Sequence, residues 1–187
     1  MRGMRGAFVS GLLMAATFLA ATTGSAVAEV YLLRGLAGFS HGMDGIAAQL
    51  ARRGIRASVH DHGAWMSVAD AIAAQHRSGR RGAVILVGHS LGADAAMLIA
   101  ERLSGVPIRL IITFDATTSR QAPPNVQRVA NYYLSNGGFG AVMGRGSAFR
   151  GALSNVDMKT DPNITHTNID QRLQNKAVAQ IQAAGGR

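Results

Sequence analysis

The chain contains no cysteine and few aromatic residues. Its 187 residues include one Trp, three Tyr and six Phe, and no Cys. The absence of thiols excludes disulfide bonds, thiolate metal sites, a cysteine nucleophile and a lipidated N-terminal cysteine. The apolar content of 48% is too high for an intrinsically disordered chain, and the length predicts one domain with a substantial hydrophobic core.

Lysine is also scarce, although the chain is basic. Lys159 and Lys176 are the only lysines among 19 basic residues, which face 10 acidic ones and give a formal net charge of +9. The arginines are scattered, in pairs at most, and no aromatic residues are interleaved with them. Because nucleic-acid-binding proteins concentrate basic side chains on one face or one helix, we expect no nucleic-acid partner. The charge predicts only a mild preference for anionic surfaces or substrates.

The N-terminal segment is typical of an export signal. Two arginines precede a charge-free apolar stretch, 7–21, and an Ala-Val-Ala sequence of the kind that signal peptidase reads ends at Ala28. An uncleaved membrane anchor is the alternative, but the apolar stretch is short for a span. We therefore predict a signal peptide at 1–28, a single domain at 29–187, no stable membrane span after cleavage, and a periplasmic or secreted location.

Beyond the signal, short apolar runs rich in β-branched residues alternate with amphipathic stretches, and Ser67 is expected to cap the second helix. The predicted strands are 30–33, 55–60, 83–87, 108–114 and 126–134, and the predicted helices are 43–53, 67–76, 93–103 and 168–184. Alternation at this spacing predicts an α/β fold with a mostly parallel sheet of about five to six strands and helices on both faces. The segment 135–165 is too long for a plain connection, so it is predicted to be a functional loop or a short cover over the site.

One motif carries chemical information: the sequence Gly88-His-Ser-Leu-Gly92, which lies between a predicted buried strand and a predicted helix. A serine at such a sharp turn adopts a strained conformation, and small residues two positions to either side let the strand and the helix approach closely. Gly88 and Gly92 supply those small residues. The helix N-terminus would favour negative charge developing near Ser90. An ordinary turn with an incidental serine is the alternative.

This motif resembles the nucleophile elbow of the α/β-hydrolase superfamily, in particular of its small lipase, esterase and thioesterase-like members. The resemblance would cover the mature chain from Val30 to the terminal helix. It implies a minimal α/β-hydrolase that lacks the antiparallel strand pair with which the fold usually begins, and a strand order of 2-1-3-4-5. The elbow is specific for the superfamily but says little about the substrate.

The resemblance also implies a general base and an acid, in the chain order Ser, Asp or Glu, then His. His166 alone among the six histidines follows both Ser90 and a candidate acid, so it is the expected base; a surface histidine in a polar loop is the alternative. Asp115 ends a predicted buried strand, which would place its carboxylate at the carboxyl edge of the sheet. It is the preferred acid over Asp161 and Asp157, and a purely structural Asp115 is the other possibility.

An oxyanion hole needs two backbone N–H donors that point to the developing charge. The residue after the nucleophile, Leu91, is expected to supply one of them. The segment Arg34-Gly-Leu-Ala-Gly38 resembles the arginine-glycine loops of lipases, in which the residue after the glycine donates, so Leu36 is the second expected donor. A glycine-rich turn without a role is the alternative.

Three further histidines are expected to lie outside the chemistry. His60-Asp-His62 offers no third ligand in view, so we expect no metal there, and neither a metal nor an organic cofactor elsewhere. His89, inside the elbow, is expected to make a packing or polar contact rather than to act as a base.

These features together predict an exported serine hydrolase that cleaves a carboxylic ester or thioester through an acyl-enzyme on Ser90. Its partner would be a small-molecule or lipid-like acyl substrate. A catalytically silent exported binding domain on the same scaffold and an acyltransferase are the alternatives. The oligomeric state is left open by the sequence.

Overall fold

The computed structural model describes residues 28–36, 40–80 and 82–185. In chain order its helices and strands are β1 (Glu29–Arg34), α1 (His41–Ala51), β2 (Ala57–Asp61), a 3-10 turn (His62–Ala64), α2 (Trp65–Arg77), β3 (Val84–His89), α3 (Leu91–Arg102), β4 (Ile108–Phe114), β5 (Gln121–Ala122), β6 (Arg128–Tyr133), β7 (Gly144–Arg145), β8 (Ala152–Asp157) and α4 (Gln171–Ala183). The predicted signal peptide lies outside the described residues except for Ala28. Within the described ranges, none of the helices is long and apolar enough to cross a membrane.

Six of the strands form one sheet in the order β2-β1-β3-β4-β6-β8. Every neighbouring pair in this sheet is parallel. The first five positions follow the predicted order 2-1-3-4-5, and β8 adds a sixth strand at the edge. Strands β5 and β7 form a separate two-stranded parallel pair. The predicted α/β fold with a parallel sheet of five to six strands is confirmed.

Helices cover both faces of the sheet and enclose two hydrophobic cores. Along β1, Tyr31 and Leu33 contribute to the core beneath α2 and α3, whereas Val30 and Leu32 contribute to the core beneath α1 and α4. The alternation arises because successive side chains of a strand point to opposite faces. Since both faces are covered, the buried parts of the central strands are mostly apolar: all six residues of β3 are buried, and Val84 to Val87 form a continuous apolar run.

The structure corrects the prediction for the segment 135–165, which the sequence predicts to be irregular. This segment contains β7 and the edge strand β8. Sequence reasoning missed β8 because most of its residues are polar or exposed, as an edge position allows. Besides the ladder, the side-chain amide of Asn131 on β6 donates to Asn155 Oδ1 on β8 at 2.8 Å, which ties the edge strand to its neighbour.

The start of α2 also differs from the prediction. The helix begins at Trp65, after the 3-10 turn, so Ser67 lies inside its first turn and does not cap it. The Ser67 hydroxyl instead donates to the carbonyl oxygen of Ala64 at 2.8 Å. Because the short turn before the helix has no signal of its own in the sequence, the pattern predicts the cap at Ser67, three residues after the observed N-cap, Ala64.

Helix α3 begins in close contact with the ends of β1 and β3, and this contact leaves no room for side chains. A Cβ atom built on Gly92 would overlap the carbonyl oxygen of Leu33 on β1, and one built on Gly88 would overlap the carbonyl oxygen of Gly92. Real Cβ atoms do not come so close to backbone atoms, so both positions require glycine. This packing determines where the turn between β3 and α3 lies relative to β1.

The substitution Gly92→Ala should therefore destabilise the fold. We expect the free energy of unfolding to fall by about 3 kcal/mol, because backbone atoms of β1 have to move to admit the new methyl group. Chemical denaturation followed by circular dichroism measures this change. Gly63→Ala is the matched control, since a Cβ at Gly63 meets no atom within 4 Å. Equal losses in the two variants would contradict the packing argument.

Candidate active site

Ser90 occupies the turn between β3 and α3 in a strained conformation. Its backbone has φ 55° and ψ −126°, a region that residues with a side chain rarely adopt. Its N–H donates to the carbonyl oxygen of Phe114 at 2.9 Å, which ties the turn to the end of β4. The residue is buried. A strained residue at a tight strand–helix turn is the backbone geometry that the elbow predicted at Ser90 requires.

Asp115 follows β4 directly and also has a positive φ, 42°. Its buried carboxylate accepts the N–H groups of Leu134, at 3.2 Å, and Phe139, at 3.3 Å. Gly138 passes so close that a Cβ atom there would overlap the carboxylate oxygens. Backbone donors from the segment after β6 therefore hold the carboxylate in one orientation.

His166 is hydrogen-bonded to that carboxylate. Its Nδ1 lies 2.7 Å from Asp115 Oδ2. Because a carboxylate only accepts, Nδ1 carries the proton and donates, which leaves Nε2 of the neutral ring able to take up a proton. The His166 side chain is 27% exposed. Phe139 packs edge-on against the imidazole, with the ring centroids 4.8 Å apart.

Ser90 and His166 lie in one neighbourhood without bonding to each other. The ring of His89, the residue before Ser90, is 5.2 Å from the His166 ring between centroids. Asp115, the partner of His166, follows the residue whose carbonyl oxygen accepts the Ser90 N–H. Within the part of the chain that the structure describes, no hydrogen bond joins the Ser90 hydroxyl to the His166 ring. Such bonds are often long in unliganded enzymes and tighten when a substrate binds.

The loop after β1 packs against the elbow. A Cβ atom built on Gly35 would lie 2.9 Å from Ser90 Cβ and 3.2 Å from the carbonyl oxygen of His89. The N–H of Gly35 donates to Ser40 Oγ at 2.8 Å, so this N–H is already engaged. The next residue, Leu36, has a side chain that is largely exposed. The remainder of the predicted oxyanion loop, Ala37 and Gly38, lies outside the described residues.

Leu91, the other expected donor, is the first residue of α3. The N–H groups of the first helical turn have no partner within the helix, so they can bind a negative charge that lies just beyond the helix N-terminus. The structure thus brings Leu91 and the segment that contains Leu36 to the elbow. Their role as oxyanion donors stays a prediction.

His89 links three segments around the site. The residue is 2% exposed, its Nδ1 lies 2.7 Å from Ser40 Oγ, and its Nε2 lies 2.6 Å from the carbonyl oxygen of His166. Burial lowers the pKa of His89, against the opposing effect of the hydrogen bond to the His166 backbone. The neutral ring is therefore favoured. Sequence reasoning expected a packing or polar contact at His89, but nothing in the sequence pointed to Ser40.

Asp94, in the first turn of α3, was not singled out from the sequence. Its buried carboxylate accepts the backbone N–H of Thr118 at 3.0 Å and the hydroxyl of Thr117. These bonds tie the loop after Asp115 to the helix after Ser90. An acidic residue near a helix N-terminus is common for electrostatic reasons, so the sequence offered no sign of this contact.

The rival acids lie in other hydrogen-bond networks. Asp157 accepts from the Ser135 hydroxyl at 2.7 Å, and Asp161 accepts from the Arg172 guanidinium at 2.7 Å. Neither carboxylate has His166 as a partner; that contact is made by Asp115.

The two histidines at the end of β2 lie in successive elements, His60 in the strand and His62 in the 3-10 turn that follows it. His60 Nε2 lies 2.8 Å from Ser58 Oγ. Across residues 28–36, 40–80 and 82–185, no three or more His, Asp or Glu side chains are grouped so that they could hold a metal ion.

No family model matches the chain, and a comparison with curated proteins finds no significant match. Among solved structures, the chain is similar to the crystal structure of a "putative hydrolase of the alpha/beta superfamily" from Xanthomonas campestris pv. campestris. The two chains are 16% identical with a TM-score of 0.45, and the match covers 84% of this chain and 93% of that chain. Any assignment of chemistry therefore depends on the site itself.

The lowered pKa of His89 predicts a contribution to the pH dependence of stability. In the unfolded chain the pKa is about 6.5, so acidification protonates the unfolded state first. The free energy of unfolding should therefore fall as the pH drops below about 6.5 towards the lower pKa that His89 has in the folded state. In the folded state the charged or titratable groups that act on the His89 ring are His166 and Asp115. We expect the melting temperature of His89→Gln to drop less than that of the wild type between about pH 7.5 and pH 5. Equal drops would contradict this.

Proposed function

We propose that this protein is a serine hydrolase that cleaves a carboxylic ester or a thioester through an acyl-enzyme on Ser90. One observation carries the proposal: the hydrogen-bonded pair of Asp115 and His166 lies next to a strained serine at a strand–helix turn. A serine hydroxyl is a weak nucleophile until a base takes its proton, and the base has to be oriented by a third group. The neighbourhood contains all three kinds of group.

In the proposed reaction, His166 Nε2 takes the proton of the Ser90 hydroxyl while Oγ attacks the acyl carbonyl carbon. Asp115 stabilises the imidazolium that forms, and the N–H groups of Leu36 and Leu91 bind the oxyanion. The tetrahedral intermediate collapses, the bond to the leaving alcohol or thiol breaks, and the leaving group takes the proton from His166. Water then attacks the acyl-enzyme by the same steps, which releases the acid and restores the serine.

The surroundings of the site favour an apolar acyl group over a highly charged substrate. Leu36, beside the elbow, is 64% exposed, and Phe139, against the His166 ring, is 57% exposed. Large apolar side chains that remain exposed in one region often mark a binding surface. The proposed substrate is thus a small-molecule or lipid-like acyl compound. The N-terminal sequence supports the proposal that the enzyme acts after export.

A second candidate function is a catalytically silent binding domain on the same scaffold. It is favoured by the missing hydrogen bond between the Ser90 hydroxyl and the His166 ring in the described residues. Acyl transfer is a variant of the main proposal, since the same acyl-enzyme can react with an acceptor other than water.

Reactivity at Ser90 separates these functions. A fluorophosphonate probe is expected to label Ser90 in the wild type, because His166 activates the hydroxyl, and not in Ser90→Ala. Hydrolysis of p-nitrophenyl esters from acetate to palmitate should fall by a factor of about 10⁴ or more in the same variant. Equal activity in the two proteins would remove the serine mechanism, and a folded wild type that neither reacts nor hydrolyses would favour the binding domain.

The acid can be assigned with a matched pair of aspartates. Asp115→Asn should lower kcat by a factor of about 10³ to 10⁴, because the amide no longer stabilises the imidazolium or selects the ring tautomer. Asp161→Asn, whose side chain contacts Arg172, should change kcat by less than about twofold. Ester hydrolysis at saturating substrate measures both. A larger loss in Asp161→Asn would reverse the assignment.

A further inference from the structure

A continuous set of hydrogen bonds runs from the loop after β1 to the backbone of His166. The carbonyl oxygen of His166 only accepts, so His89 Nε2 carries the proton and donates to it. In the neutral ring Nδ1 then accepts, and the Ser40 hydroxyl donates to it. The Ser40 oxygen in turn accepts the N–H of Gly35. We call these four groups and three bonds the Ser40–His89 bridge.

The bridge is buried and fully paired. Ser40 and His89 are each 2% exposed, and both nitrogens of the ring have a partner. A buried polar group left without a partner destabilises the folded state, so each bond opposes the loss of its neighbour. The direction of every donor in the bridge is determined by its two ends, the N–H of Gly35 and the carbonyl group of His166.

The two ends of the bridge belong to different parts of the proposed machinery. Gly35 immediately precedes Leu36, the proposed oxyanion donor, and packs against Ser90. At the other end, His166 is fixed twice: its ring by Asp115 and its backbone by His89. His89 itself is the residue before the nucleophile, at the end of a central strand.

We propose that Ser40 and His89 are positioning residues. They hold the loop that contains Leu36 and the loop that contains His166 in place relative to Ser90. This inference rests on the proposed function, since it assigns the purpose of the bridge within the same site. Neither residue takes part in bond making. Both act through Leu36 and His166, whose positions decide how well the transition state is stabilised.

Loss of the bridge is expected to change the kinetics in a specific way. A displacement of about 1 Å in a catalytic group can cost about 100-fold in rate. Because the bridge acts on the reacting groups and makes no contact with the substrate, its loss should lower kcat and leave KM nearly unchanged. A residue that only stabilised the fold would lower the melting temperature and leave kcat per folded molecule unaltered.

The test uses five variants of the full chain, four single and one double, together with Ser90→Ala. Ser40→Ala removes the middle of the bridge, and His89→Phe keeps a ring of similar size without its nitrogens. His89→Gln retains an amide donor and an acceptor. Ser58→Ala is the matched control, since it breaks another serine–histidine bond, the one to His60 at 2.8 Å. Ester hydrolysis, melting temperature and amide hydrogen exchange are measured on each.

We expect kcat to fall about 10- to 100-fold in Ser40→Ala and in His89→Phe, with KM within about twofold of the wild type. His89→Gln should recover part of the loss, and the double variant Ser40→Ala/His89→Phe should lose little more than His89→Phe alone, because both break one network. Amide exchange at Gly35 and around His166 should be faster than in the wild type. Ser58→Ala should retain wild-type kcat.

Two results would overturn the inference: folded Ser40→Ala and His89→Phe with wild-type kcat, or a loss confined to stability or KM. If His89→Phe does not fold, Ser40→Ala decides, because it removes only one hydroxyl group. Failure of the proposed function is recognised separately, as a wild type no more active than Ser90→Ala. In that case the positioning role is overturned together with the proposed function, and faster exchange at both ends would show only that the bridge holds the two loops.

Discussion

The close contact of β1, β3 and α3 at Gly88 and Gly92 is the constraint on which the remainder of the site depends. Because neither glycine leaves room for a side chain, α3 starts directly against the carbonyl groups at the end of β1. The turn between β3 and α3 is thereby forced into the positive φ seen at Ser90. Backbone strain of this kind persists only where surrounding structure determines it, and here the sheet does so.

The polar groups around Ser90 obtain their positions in two ways. Asp115 lies directly at the end of a central strand, where the sheet fixes its backbone and nearby N–H groups fix its carboxylate. His166 comes from a loop and needs tethers, which Asp115 provides for the ring and His89 for the backbone. Asp94 ties a second loop to the helix after Ser90. Hydrogen bonds from the central strands and α3 thus hold the loop that contains His166 and the loop that follows Asp115 in place.

The predicted elements agree with the structure where the sequence has a strong local signal. The central strands contain apolar runs, such as Val84 to Val87 in β3, and β4 begins and ends at the residues predicted, 108–114. Strand β8 was not predicted because it lies at the edge of the sheet. A strand whose side chains are mostly exposed needs no apolar run, so its sequence resembles that of a loop. The predicted start of α2 is wrong. Serine is a common N-cap residue, so the sequence favours a cap at Ser67, but a 3-10 turn leads directly into the helix before that position.

The sequence by itself determined the alternation of strands and helices and the position of the elbow, because both follow from residues within a few places of each other. Only the tertiary structure decided that Asp115, rather than Asp161, pairs with a histidine 51 positions away, and that Ser40 meets His89 across 49 positions. Such contacts depend on which strands are neighbours and on how loops return over the sheet edge. No local pattern encodes them, since a polar residue in a loop looks the same whichever partner the fold brings to it.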